Sequence, residues 1–198
     1  MRSLLAAVAA TAVLVVGSPQ PAQAAAVTVA GYDFNGRSGA LRDDTGRGHT
    51  MRVVAARGGK VRPVVHGSGQ ALQFPPKCTG GKCPAVVLQT GHAADLNPGS
   101  RPLAYGATVR LARSQTSKGQ NVVQKGYSAT SSQYKLQIDG RAGRPSCVLV
   151  DGVTRGAGTV PATLSVNNKG PLSVGGKGAY RDNDQFQGAL DNVWVRIG

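Results

Sequence analysis

The sequence predicts an all-β fold, and three observations carry that prediction. Glycine and proline number 28 and 11 in 198 residues, and they interrupt the chain too often for long helices. Apolar and polar residues alternate over short stretches, the period-two pattern of a strand with one buried face. Asp-Gly pairs sit beside apolar runs, where both residues tolerate the positive φ of a tight hairpin. Many short strands joined by turns are the result.

Residues 1–24 read as a segment apart. One basic residue, Arg2, precedes an apolar run over 4–16, then Gly17, prolines and Ala22-Gln23-Ala24. That is the layout of a secretory signal peptide cut after Ala24. The run is shorter than the roughly 18 to 20 residues that cross a bilayer, so a membrane anchor is the weaker reading. No later segment is long and apolar enough to span. Residues 25–198 are then expected to form one exported, soluble domain, large enough for a sizeable core.

Within that domain, Tyr32-Asp33-Phe34 leads into a turn at Asn35-Gly36, and a second turn cluster covers 43–48. Strands are expected at 51–56, 61–65, 71–74 and 85–90. Over 105–111, Tyr105, Ala107, Val109 and Leu111 share one face. Tyr134, Leu136 and Ile138 alternate with Lys135, Gln137 and Asp139, and the run enters Asp139-Gly140. A second pair, Asp151-Gly152, follows the apolar run 148–150. Both places read as hairpins.

The chain closes with FQGALDNVWVRIG, 186–198. Phe186, Gly188 and Leu190 share one parity, while Val193, Val195 and Ile197 share the other. The phase slips by one residue near Asp191-Asn192, as a bulge requires. Asp191 would then accept backbone N–H groups left free by the irregular ladder. Trp194 faces away from Val193 and Val195. It fits either the inter-sheet core or the outer face, and the usual burial of large aromatics favours the core.

The formal charge is +14, from 23 Lys and Arg against 9 acids, all of them aspartate. Such a chain is drawn to anionic surfaces, including phosphate-bearing wall polymers. Its arginines are scattered singly, and no basic run interleaved with aromatics marks a nucleic-acid groove, so no specific nucleic-acid function is expected. Three cysteines suit an oxidising compartment. In CTGGKC two glycines let the chain turn tightly enough for Cys78 and Cys83 to form a local disulfide. A metal pair is the alternative, but no second Cys or His pair stands at zinc spacing. Cys147 is then left over, as a free thiol or a link between two chains, so the chain is expected as a monomer or a Cys147-linked dimer.

Taken in order, YDFNGRSG with DDTGRG, GSGQALQFP, LAYGATVRLA, NVVQKG, YKLQIDG, PLSVGG and DQFQGALDNVWVRIG resemble secreted bacterial laminin-G-like, concanavalin A-like domains over nearly the whole chain from Tyr32. The resemblance implies an antiparallel jelly-roll sandwich of two packed sheets, with F-x-G-x-L-D-x-V as the last strand returning beside the first. Asp191 would be structural. Members of the family usually carry a further strand with a Trp-His pair and a second cysteine after the counterpart of Cys147. Here Cys147-Val148-Leu149-Val150 runs directly into Asp151-Gly152. The fold is therefore expected to lack a strand pair after Cys147.

Sequence patterns argue against catalysis. Retaining glycosidases use two carboxylates about 5 Å apart; the laminarinase-like relatives supply them as glutamates in E-x-D-x-x-E, and this chain has no glutamate. His49, His66 and His92 stand in separate contexts, and neither H-E-x-x-H nor G-x-S-x-G occurs. Gly175-Gly176-Lys177-Gly178 resembles a phosphate cradle only superficially, because no helix start follows. The expectation is a non-enzyme with no catalytic residues and no required cofactor.

Binding is the better class, with carbohydrate or another cell-wall or extracellular partner as the expected ligand. Tyr127 and Tyr180 lie in Gly-flanked loop contexts, and Tyr180 precedes Arg181-Asp182-Asn183-Asp184. That cluster could meet a sugar, or calcium, which takes carboxylate and amide oxygens; a solvated loop is the plainer reading. Asp43 and Asp44 would join Asp182 and Asp184 in a calcium site if the loops converge. A structural domain without a specific ligand is the rival expectation.

Overall fold

The computed structural model describes residues 25–36, 41–127, 132–139, 144–145, 149–150, 153–154, 165–180 and 182–198. Residues 1–24, expected as a signal peptide, Cys147, expected as a free thiol or an interchain link, and Arg181 lie outside the described residues. Thirteen strands are described. They are β1 Val27–Tyr32, β2 Arg52–Ala56, β3 Arg62–His66, β4 Gly69–Gln73, β5 Ala85–Gln89, β6 Leu103–Arg110 and β7 Gln120–Lys125, then β8 Tyr134–Asp139, β9 Arg144–Pro145, β10 Leu149–Val150, β11 Val153–Thr154, β12 Leu172–Val174 and β13 Ala189–Ile197. Helical structure among the described residues is two 3₁₀ turns, Ala94–Leu96 and Arg113–Gln115. None is long and apolar enough to cross a membrane.

The strands form an all-β sandwich of two antiparallel sheets, as the sequence predicts. In the first, β13 pairs with β6 along one edge. Along the other it pairs with β4 at Ala189 and Leu190 and with β1 from Val193 to Ile197, and β3 lies beyond β4. The second runs β2-β5-β12-β7-β8-β9. The closing strand does return beside the first, through β1. Leu190, Val193 and Val195 from one sheet and Leu88, Leu136 and Leu172 from the other meet in one core cluster. Removing that apolar surface from water is the main force joining the sheets.

Local patterns explain individual elements. β8 is buried at every second residue, with Tyr134, Leu136 and Ile138 inward. The turn expected at Asp139-Gly140 is corrected: Asp139 is still a strand residue, paired with Arg144 of β9. β10 and β11 pair with each other, Val150 opposite Val153. This ribbon, just after Cys147, belongs to neither sheet.

β13 contains the expected slip. Its pairing with β6 shifts register between Asp191 and Trp194, and Asn192 has φ +47°. Val193, Val195 and Ile197 are inward. The core position expected for Trp194 is corrected: its ring is half-buried on the outer face. It lies over Gly106, where a Cβ would come within 2.9 Å of the ring, and the Arg196 guanidinium sits 4.9 Å above it. The alternation fixed by its neighbours outweighs the tendency of tryptophan to be buried.

The second sheet has a polar outer face. Gln89 and Ser173 are paired neighbours, as are Ser173 and Gln124, and Gln124 and Lys135. This row alternates with inward Leu88, Leu172 and Leu136, so it points away from the core. It carries the candidate site.

Candidate functional site

The site is built on residues 175–187, which follow β12. Gly175 makes the turn possible: it sits at φ +81°, and any Cβ there would collide with the Phe74 ring. Phe74 is locked edge-on against Phe186 at 5.8 Å. Gly175 N–H donates to the Val122 carbonyl and Asn121 N–H to the Asp184 carbonyl. The Gln185 side-chain carbonyl accepts from Val86 N–H at 2.8 Å. The chain thus leaves the sheet at Gly175 and is fastened back between β5 and β7. What lies between is held over the polar outer face. Gln89 Nε2 donates to the Lys177 carbonyl at 3.1 Å, and Asn121 Nδ2 to the Gly176 carbonyl at 2.9 Å.

This excursion brings together several of the residues singled out in the sequence. Tyr127 donates its hydroxyl to the Lys177 carbonyl at 2.6 Å. Tyr180 packs its ring against Gly178 and remains 46% exposed. Burial, and then the neighbouring Tyr127 phenol, pushes the Tyr180 hydroxyl up to about 12, so it stays a neutral donor at physiological pH. Asp184, at φ +49°, is held by two ammonium groups, Lys177 at 2.6 Å and Lys135 at 3.3 Å. Asp182 is exposed.

Beside the excursion lies an open cleft of about 360 Å³. Arg57, Cys78, Cys83, Lys118, Asp182 and Asp184 are among its lining residues. One wall is the CTGGKC loop, closed by the expected Cys78–Cys83 disulfide with its Cα atoms 5.6 Å apart. Arg57 stands in the turn after β2 at φ +52°. It donates through Nε to the Cys83 carbonyl at 2.6 Å and through Nη2 to the Tyr180 carbonyl at 3.1 Å. One guanidinium therefore ties the disulfide loop to the tyrosine loop.

Among the described residues the two acidic pairs of the calcium expectation share no hydrogen-bond or ion-pair partner. Asp43 is buried and its carboxylate accepts from the N–H groups of Gly31, Thr45 and His49 and from the Thr45 hydroxyl. Burial works to raise its pKa, but these donors prevail and hold it below the usual carboxylate value. Asp44 accepts from Asp33 N–H at 2.7 Å. Among the described residues no group of three or more His, Cys or Asp side chains is placed to hold a metal ion.

Sequence reasoning missed Arg57, Lys118, Lys135 and Lys177 as members of the site. Arg57-Gly58-Gly59 has the look of a turn, but nothing local to it names the Tyr180 carbonyl 123 residues away. It also missed two histidine–carboxylate hydrogen bonds, His49 Nε2 with Asp95 at 2.9 Å and His66 Nδ1 with Asp191 at 2.6 Å. Asp191 is nearly buried and also accepts from Asn192 N–H at 2.7 Å. Its carboxylate fastens the bulge to the end of β3, a structural use.

Scanning this chain against protein-family models finds no match, and a search of curated proteins finds no relative.

Proposed function

We propose that this chain is an exported, non-catalytic β-sandwich that binds an extracellular saccharide polymer on the Tyr127–Tyr180 excursion and in the cleft beside it. The observation that carries this reading is Tyr180. An aromatic residue held against a glycine, nearly half exposed, with a neutral hydroxyl and a second tyrosine beside it, has the apolar face and polar tip that sugar rings meet. The ordered motifs that resemble laminin-G-like, concanavalin A-like domains support the same reading, as does the two-sheet fold. The lack of any glutamate favours binding over glycan hydrolysis. Residues 1–24 support export.

Affinity electrophoresis through gels containing single polysaccharides tests it. Tyr180→Ala is expected to lose at least about tenfold in affinity for the retained polymer, the loss typical of an aromatic anchor, with an unchanged thermal transition. Equal retention of wild type and variant, or turnover of the polymer, would overturn it.

A further inference from the structure

The cleft opposes an anion less than a count of its own ionised side chains suggests. Arg57 and Lys118 line it together with Asp182 and Asp184, an apparent balance. Asp184, however, is already bound by Lys135 and Lys177. Those two ammonium groups offset its charge, so among the described residues only the exposed Asp182 opposes an incoming anion without an ammonium partner.

Arg57 is the distinctive member. Its two hydrogen bonds go to carbonyls, Cys83 at 2.6 Å and Tyr180 at 3.1 Å. They fix the plane of the guanidinium while leaving its charge uncompensated. Among the described residues the lysine–carboxylate pairs are made by Lys135 and Lys177, and neither Arg57 nor Lys118 is paired with a carboxylate. A guanidinium carries five donors, so three remain for a ligand. A planar fork already held in place, beside an exposed tyrosine, matches a carboxylate or phosphate attached to a sugar.

We infer that Arg57, aided by Lys118, is an anion receptor, and that the polymer taken by the cleft is acidic, with a carboxylate or phosphate on its repeating unit. This rests on the binding reading above and adds the ligand's charge to it.

Dissociation constants from affinity electrophoresis on polygalacturonate, on a phosphomannan and on a neutral β-glucan provide the test, and the first two arms separate carboxylate from phosphate. One of the acidic polymers is expected to bind more tightly than the glucan. Arg57→Gln should weaken that binding about ten- to a hundredfold, the range of a charged hydrogen bond, and Lys118→Gln severalfold. Arg62→Gln removes the same charge from an exposed position on β3 and should change little. Arg57 braces two loops, so Lys118→Gln, which carries no such brace, keeps the test sound if Arg57→Gln is unstable. A loss in Arg62→Gln equal to the other two would show diffuse attraction to the +14 charge and overturn the inference. Glucan binding as tight as that of both acidic polymers, and still dependent on Tyr180, would overturn it while leaving the binding reading intact. No retention of any polymer would overturn both.

Discussion

Lys125 is fully buried, and its ammonium reaches three oxygens, the Asn168 carbonyl at 3.3 Å, Asn168 Oδ1 at 3.2 Å and the Gly170 carbonyl at 3.0 Å. Burial pulls its pKa down to about 8, against a smaller upward pull from Asp95. In the unfolded chain the same group titrates near its ordinary 10.5. Between those two values the unfolded state binds more protons, so stability rises with pH through that window. Tyr32 and Tyr134 act in the opposite sense. Burial first, then nearby acids and phenols, hold both well above the ordinary phenol value of 10.0. The unfolded chain therefore loses those protons first, and stability falls above about pH 10. The melting temperature is expected to climb from about pH 8 to a maximum near pH 10, then drop. Lys125→Met should flatten the climb, whereas an equally steep climb in that variant would refute the assignment. None of this was legible from sequence. Gln120, Asn121, Gln124 and Lys125 lie on β7, which is buried at every residue, so neither polarity nor alternation marks which face is inward. Trp194 shows the converse: parity set it opposite Val193 and Val195 without deciding its face, and the burial preference of tryptophan pointed wrongly to the core.

At the scale of elements, two irregular turns carry the design. The bulge in β13 places Asn192 at positive φ, a conformation that asparagine tolerates and a β-branched residue does not. Asn192→Gly is expected to be neutral or stabilising by up to about 1 kcal/mol, and Asn192→Val to cost about 1 to 3 kcal/mol in urea denaturation. The Gly175 turn has both a positive φ and the Phe74 ring against it. Gly175→Ala should cost about 2 to 4 kcal/mol, and it should also weaken ligand binding, since the excursion starts there. The Cys78–Cys83 bridge closes a loop of sequence separation 5. So short a loop contributes only about 2 kcal/mol of chain-entropy stabilisation. Its larger effect is expected on binding, through the Cys83 carbonyl that orients Arg57. Reduction with a dithiol should lower affinity severalfold in protein that is still folded by circular dichroism; unchanged affinity would remove the loop from the site. The bulge and the bridge were legible because each is local, a parity slip over two residues and two glycines between two cysteines. The excursion was not, because its anchors on β5, β7 and β8 are distant in sequence.

For the whole molecule, the all-β sandwich follows from alternation, turn chemistry and the absence of helical periodicity, all of which survive in one sequence. The candidate site was legible only in part. Tyr127, Tyr180 and Asp184 stood out by their loop contexts, and the fold brings them together. The lysines that neutralise Asp184 and the arginine that braces the cleft stand out only once the sheets are assembled. The +14 charge sets the background against which any specific anion binding must be judged, since diffuse attraction is screened over about 8 to 10 Å at ordinary salt. The most direct test is to titrate isotope-labelled protein with short galacturonate and β-glucan oligomers at moderate salt and follow the backbone amide NMR signals. Saturable shifts confined to Arg57, Lys118, Lys177, Tyr180 and the residues that follow to Gln187 are the expected result. Shifts centred instead on the separate groove around His66 and Asn192, or none at saturating oligomer, would contradict a saccharide site at the cleft.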